Sequence, residues 1–222
     1  MPLLLAQICY SQTTNHVTGE EKLGTWYSIN GSYKLSDRFS LKSDVEIRTY
    51  EAIENFNVVF LSLGASYKLK KNISAGGNYV YLILDNSFVD TDNPNTTEHR
   101  FNEQIGMTHT LNNFTLKQRL RVEHRFMDNT YDYEQQHRIR YRFLVKYPIS
   151  NVVGFSISDE LFYNLDQVVF QQNRLIGKLN LKLLKKQSVY IGFMKQHFTK
   201  ISFNRLLLGL SIKTDWRKGT KD

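Results

Sequence analysis

The sequence predicts an all-β protein: a closed, antiparallel transmembrane β-barrel of about 10–12 strands, with twelve as our best count. Three observations support this class. Side-chain polarity alternates with a period of two, the alternating segments are long, and short connections alternate with longer ones. The chain forms one domain over residues 13–222, because no linker or shift in composition divides it.

The period-two pattern is clearest in FSLKSDVEIRTY, residues 39–50, and in HRIRYRFLVKY, residues 137–147. A helix would scatter these charges around its circumference, whereas a strand places them on one face. Strands of soluble proteins average about 5–6 residues, while about 9–11 cross a bilayer at a tilt. The same pattern, in segments long enough to cross, predicts strands at 24–35, 39–50, 57–69, 73–84, 99–111, 114–126, 137–147, 152–164, 171–184, 189–198 and 204–216.

The connections favour a barrel with short periplasmic turns and longer extracellular loops. Short turns are predicted at 36–38, 70–72, 112–113, 148–151 and 185–187, and longer loops at 85–98, 127–136 and 164–171. Bacterial barrels have an even number of strands, so eleven segments leave one unaccounted for. Residues 13–23 are expected to form a first strand or to lie inside the lumen; a ten-stranded barrel with one misread segment is the alternative.

The N-terminus and the charge bear on location and partners. Residues 1–12, MPLLLAQICYSQ, resemble the end of a start-truncated signal peptide, and removing them would remove Cys9, the only cysteine. The net charge is +8, but Lys and Arg are spread along alternate positions, which argues against nucleic acid. We expect the bacterial outer membrane as the location, with lipid, lipopolysaccharide and other outer-membrane proteins as partners.

The stretch GTWYSINGSYKLSDRFSLKSDVEIRTYE (24–51), with the repeated EHRF and the closing RLLLGLSIKTDW (205–216), resembles an uncharacterised family of single-domain outer-membrane β-barrels common in Bacteroidota. The resemblance implies the fold and the location. It implies no activity, and the final strand departs from the family pattern because RKGTKD follows Trp216.

Three related motifs indicate where the charges point: EHRF at 98–101, EHRF at 123–126 and QHRI at 136–139. All three fall at one rim of the predicted barrel, with Arg on the charged face and His99, His124 and His137 beside the outward aromatic residues. We therefore predict cationic rows inside the lumen, formed by Arg100, Arg119, Arg121, Arg125, Arg138, Arg140 and Arg142. Outward histidines do not converge on a metal, so neither a metal nor another cofactor is predicted.

Two functions remain open for this lumen. Rings of Arg favour anions in pores, which predicts a narrow porin-like channel for small anions. Alternatively, salt bridges fill the lumen, and the barrel is a structural or accessory component of an outer-membrane assembly. The carboxylates that would neutralise the Arg rows are Asp44, Glu46, Glu123 and Glu160.

Other classes are weighed against this one. A soluble, lipocalin-like barrel that binds an acidic or apolar ligand would show the same alternation, but not such long strands. An outer-membrane lipid hydrolase would need a serine paired with a histidine on the outer surface, while Ser156 and Ser158 fall on the lumen face, so we predict no enzyme. Three polar residues take the outward parity in mid-strand, where charge is costly: Glu103, Gln118 and Asp159. They indicate β-bulges that shift the register, a protein–protein contact within the membrane, or an error in the predicted strand phase.

Overall fold

The computed structural model describes residues 22–85, 95–129 and 132–217, which form a closed barrel of eleven β-strands joined in sequence order. The strands are β1 (Leu23–Lys34), β2 (Phe39–Thr49), β3 (Phe56–Lys68), β4 (Ile73–Leu84), β5 (Thr96–Leu111), β6 (Phe114–Asn129), β7 (Asp132–Pro148), β8 (Val153–Asn164), β9 (Val169–Leu184), β10 (Gln187–Phe198) and β11 (Ser202–Asp215). The predicted all-β barrel is confirmed, and each of the eleven predicted segments corresponds to a strand. The signal-like residues 1–12 and most of the proposed first strand, 13–21, lie outside the described residues.

The barrel closes through a parallel pair. β1 runs beside β11 from Leu23–Asn204 to Lys34–Asp215, whereas every other neighbouring pair is antiparallel. Eleven strands that alternate in direction can close only in this way, because the first and last then point the same way. The best count of twelve, with antiparallel closure, is therefore one strand higher than the described part of the chain contains.

The two ends of the barrel differ, although less through loop length than predicted. At the short-turn end, two or four residues join β1–β2, β3–β4, β5–β6, β7–β8 and β9–β10. At the opposite end, called here the long-loop end, 85–95 is the longest connection, and 86–94 lie outside the described residues. The predicted loop 127–136 is mostly strand, because β6 and β7 continue to Asn129 and from Asp132. The loop predicted at 164–171 is also shorter in the structure, where only residues 165–168 connect β8 and β9.

The outward face is mainly apolar, with large side chains at alternate positions of every strand. The three outward polar residues that the sequence left unexplained each have a polar neighbour. Glu103 Oε2 lies 3.3 Å from His124 Nε2, Tyr141 Oη donates to Gln118 Oε1 at 3.0 Å, and Asn173 Nδ2 donates to Asp159 Oδ1 at 2.5 Å.

No bulge accounts for these outward residues, because the described register shifts lie elsewhere, at Arg48/Thr49, Phe162/Tyr163 and Gln187/Ser188. The strand phase predicted for Glu103, Gln118 and Asp159 is therefore the phase of the structure. Within the described ranges, the structure contains no helix long and apolar enough to cross a membrane.

Candidate functional site

Strand register places the charged rows inside the barrel. The arginines of β6 and β7 lie opposite one another, Arg119 beside Arg142 and Arg121 beside Arg140, and Arg100 of β5 lies beside Arg125. A central cavity of about 770 Å³ is lined by all seven arginines of the predicted rows: Arg100, Arg119, Arg121, Arg125, Arg138, Arg140 and Arg142. Asp44, Glu46 and Glu160 line the same cavity.

Glu123 is the most enclosed charge in this network, with no exposed surface. Its Oε2 accepts hydrogen bonds from Arg138 Nε at 2.9 Å and Nη2 at 2.6 Å, and its Oε1 accepts one from Arg140 Nη1 at 2.6 Å. Arg121 and Arg100 approach the same carboxylate at 3.6 and 3.9 Å. One carboxylate therefore holds four guanidinium groups together.

Glu98 bridges the opposed pair nearest the long-loop end. It accepts from Arg100 Nε at 2.8 Å and from Arg125 Nε and Nη2 at 2.7 and 2.8 Å. Sequence reasoning missed Glu98 as a lumen carboxylate, although it shares the parity of Arg100 and opens the first EHRF motif. The signal was present, because alternate residues of a strand face the same side.

Glu160 is a third lumen carboxylate that pairs with two arginines, Arg119 and Arg140. Its Oε1 accepts from Arg119 Nη2 at 2.5 Å and lies 3.0 Å from Arg140 Nη2. In the part of the chain that the structure describes, Arg142 has no carboxylate within ion-pair distance, and Arg119 Nε is buried without a hydrogen-bond partner. Of the three opposed arginine pairs, only Arg119–Arg142 lacks a carboxylate that bridges it.

Aromatic rings and further cations complete the lumen, and the sequence did not reveal them. Arg48 stacks 3.9 Å from the Trp26 ring, and Arg174 lies 5.0 Å from Trp26 and 4.6 Å from the Phe162 ring. Phe162 is fully buried between Arg174 and Arg140, the latter at 4.3 Å. These cation–π contacts connect β1 and β2 with β8 and β9 across the lumen.

Lysines occupy the lumen face near the short-turn end. They lie within four residues of the ends of β2, β6, β7 and β11: Lys42, Lys117, Lys146 and Lys213. Their parity with the Arg rows was visible in the alternating pattern, although the predicted rows contained arginines only. The cationic lining therefore extends further along the barrel than predicted.

The three predicted outward histidines lie away from the cavity, at the long-loop rim. Tyr79 Oη and His99 Nδ1 are 2.6 Å apart, and the rings of His124 and His137 are 5.1 Å apart. In the described residues, no three His, Cys, Asp or Glu side chains cluster closely enough to hold a metal ion. Ser156 and Ser158, considered for a hydrolase, are buried on the lumen face.

The fold and this lumen define the class: a closed β-barrel with an apolar exterior and an arginine-rich interior. Within that class, the chain belongs to the family of proteins of unknown function designated DUF2490, whose model matches residues 23–207. No curated protein matches the chain. Among solved structures, a NanC porin in a rhombohedral crystal form is similar, with a TM-score of 0.56, 12% identity, and coverage of 86% of this chain and 98% of that chain. At this identity the similarity concerns the fold.

Proposed function

We propose that this protein is an integral outer-membrane barrel whose lumen is a pathway for small anions. The single observation that carries the proposal is the imbalance of charge around the cavity. Among the described residues, ten Arg and Lys side chains line the cavity, whereas three carboxylates do. Glu98 and Glu123 bind lumen arginines without lining the cavity themselves, and they raise the number of carboxylates to five. Cationic rings of this kind favour anions in pores.

The membrane location is supported by the exterior. Leu61, Leu63, Phe101 and Ile105 are exposed on the outward face, as are Leu and Ile side chains of β8, β9 and β10. Water would have to solvate all of this apolar surface if the barrel were soluble, whereas a bilayer accommodates it. Strands of 11 to 17 residues suffice to cross a bilayer at a tilt.

Planar-bilayer recording tests the proposal directly. The purified protein is expected to show a conductance with an anion-selective reversal potential in a KCl gradient. Selectivity should be strongest near 0.1 M salt, because the Debye length shrinks from about 10 Å there to about 3 Å at 1 M. Arg142→Gln should weaken the selectivity, since no carboxylate lies within ion-pair distance of Arg142 among the described residues.

Lys195→Gln provides the matched control, because Lys195 is an exposed cation on the outward parity of β10. It removes the same charge as Arg142→Gln and should leave the selectivity unchanged. A protein that is extracted from the outer-membrane fraction only by detergent but gives no conductance would refute the pathway. That result would favour the structural or accessory function, with the ion pairs of Glu98, Glu123 and Glu160 filling the lumen.

A further inference from the structure

One part of the lumen wall is neutral, and it lies between Arg48 of β2 and Arg100 of β5. β3 and β4 contribute no charged side chain to the cavity, and their lumen positions include Val58, Phe60, Leu82 and Leu84. Val58 and Leu82 are buried together with Val80, while Phe60 and Leu84 pack against them and remain partly exposed to the cavity. The cavity therefore has an apolar wall and a cationic wall.

An apolar wall is unfavourable in a pathway used only by hydrated inorganic anions. Water beside Phe60 and Leu84 cannot bond to them, and burying such surface against an apolar ligand group is favourable. A volume of about 770 Å³ lies within the range of about 300–1,000 Å³ typical of small-molecule pockets. The cavity thus has the size and the mixed lining of a ligand site.

The cationic wall contains an unfilled anion position. Directly opposed arginines repel each other unless an anion lies between them. Glu98 and Glu123 bridge the first two opposed pairs. In the third pair, Glu160 lies within ion-pair distance of Arg119 but not of Arg142, although Glu160 faces Arg142 in the strand register. An acidic group from a ligand could bind both guanidinium groups in the geometry that carboxylates favour.

We infer that the lumen binds amphipathic organic anions, with the acidic group at Arg119 and Arg142 and an apolar chain or ring against Phe60, Leu82 and Leu84. The inference rests on the proposed function in taking the lumen as open to solutes. It adds the chemical class: carboxylates or sulfonates that carry several apolar carbons, in preference to chloride or acetate.

Tryptophan fluorescence provides a readout that is independent of conductance. The chain has two tryptophans, and Trp26 lines the cavity while Trp216 lies outside it and is exposed. The Trp216→Phe variant therefore reports on the lumen alone. It is titrated in detergent with three probes: acetate, hexanoate and the uncharged hexanamide.

Hexanoate is expected to saturate the Trp26 signal at about tenfold lower concentration than acetate or hexanamide, since it alone offers both groups and its chain would be partly buried. Phe60→Ser should reduce the hexanoate-to-acetate ratio to about twofold, whereas Leu61→Ser, on the outward parity, should preserve it. Arg142→Gln should weaken binding of both acids. These variants separate the two walls of the site.

Each outcome decides between the two proposals. Equal affinity for acetate and hexanoate would overturn the inference and leave an inorganic-anion pathway standing if the conductance is present. Equal effects of hexanamide and hexanoate would overturn it as well, because partition of apolar molecules would then explain the signal. Selective hexanoate binding without conductance would support the ligand site and refute the anion pathway. If neither selective binding nor conductance is observed, both proposals are refuted.

Discussion

Replacing Glu123 with Gln should destabilise the barrel strongly. The carboxylate is fully enclosed and hydrogen-bonded to Arg138 and Arg140, with Arg121 and Arg100 within 3.9 Å. Each charge-assisted bond contributes about 1.5–3 kcal/mol, and its loss leaves four guanidinium groups around a neutral amide. Breaking a buried ion pair from one side costs about 3–5 kcal/mol, and we expect a loss in that range.

The loss is measured as the free energy of unfolding in urea and detergent, followed by the change in gel mobility between folded and heat-unfolded protein. Glu103→Gln provides the matched control, because Glu103 is an exposed outward carboxylate paired with a histidine, and its loss should cost less than about 1 kcal/mol. The double variant Glu123→Gln with Arg138→Met should recover part of the stability, since it also removes one uncompensated charge. A loss below about 1 kcal/mol for Glu123→Gln would contradict this reasoning, because it would show that water solvates the arginines well enough to replace the carboxylate.

Two further predictions concern the long-loop end of the barrel and the strand β11 that closes it. The backbone N–H of His137 donates to Asp166 Oδ2 at 2.6 Å and lowers the pKa of this carboxyl below its usual value. Ionised Asp166 therefore stabilises the folded protein above about pH 4, and this contribution is lost as the pH falls through the lowered pKa. When the melting temperature is measured at a series of pH values, Asp166→Asn should make its decrease at acid pH less steep. The second prediction concerns Gly209 in β11, the strand that closes the barrel against β1. A Cβ added at Gly209 would overlap the Tyr190 ring, so Gly209→Ala should lower the melting temperature, whereas Gly177→Ala, with open space at its Cβ, should not. Equal melting temperatures for the two variants would contradict this packing.

Much of the fold could be predicted because alternation is a local signal. That Arg138, Arg140 and Arg142 share one face follows from the alternation within a single strand. The pairing of Arg100 with Arg125 follows from the two-residue turn at Asn112–Asn113, which fixes the register of the hairpin. The number of strands did not follow, because closure depends on how the first and last strands meet. Nor did the extension of β6 to Asn129 and of β7 from Asp132, because a run of polar residues at the end of a strand resembles a loop.

The apolar wall was hidden for a different physical reason. In β4 the run from Tyr79 to Leu84 is apolar throughout, so period-two analysis gives it no inward and outward face. Val80 and Leu82 turn inward only because their neighbours in β5 fix the register, with Arg100 opposite Val80 and Glu98 opposite Leu82. Partners across the lumen are equally invisible in sequence, since the contact of Arg174 with Trp26 joins strands that are not adjacent.

The order of charges along the barrel gives the lumen a direction. The carboxylates that bind several arginines, Glu98, Glu123 and Glu160, lie from the middle of the barrel toward the long-loop end. Toward the short-turn end the lumen face carries Lys42, Lys117, Lys146 and Lys213. Positive potential therefore rises from a compensated network to an uncompensated lysine end. In the proposed pathway, an anion that passes the arginine–carboxylate network from the long-loop end is drawn onward, because the charges beyond that network are more weakly neutralised.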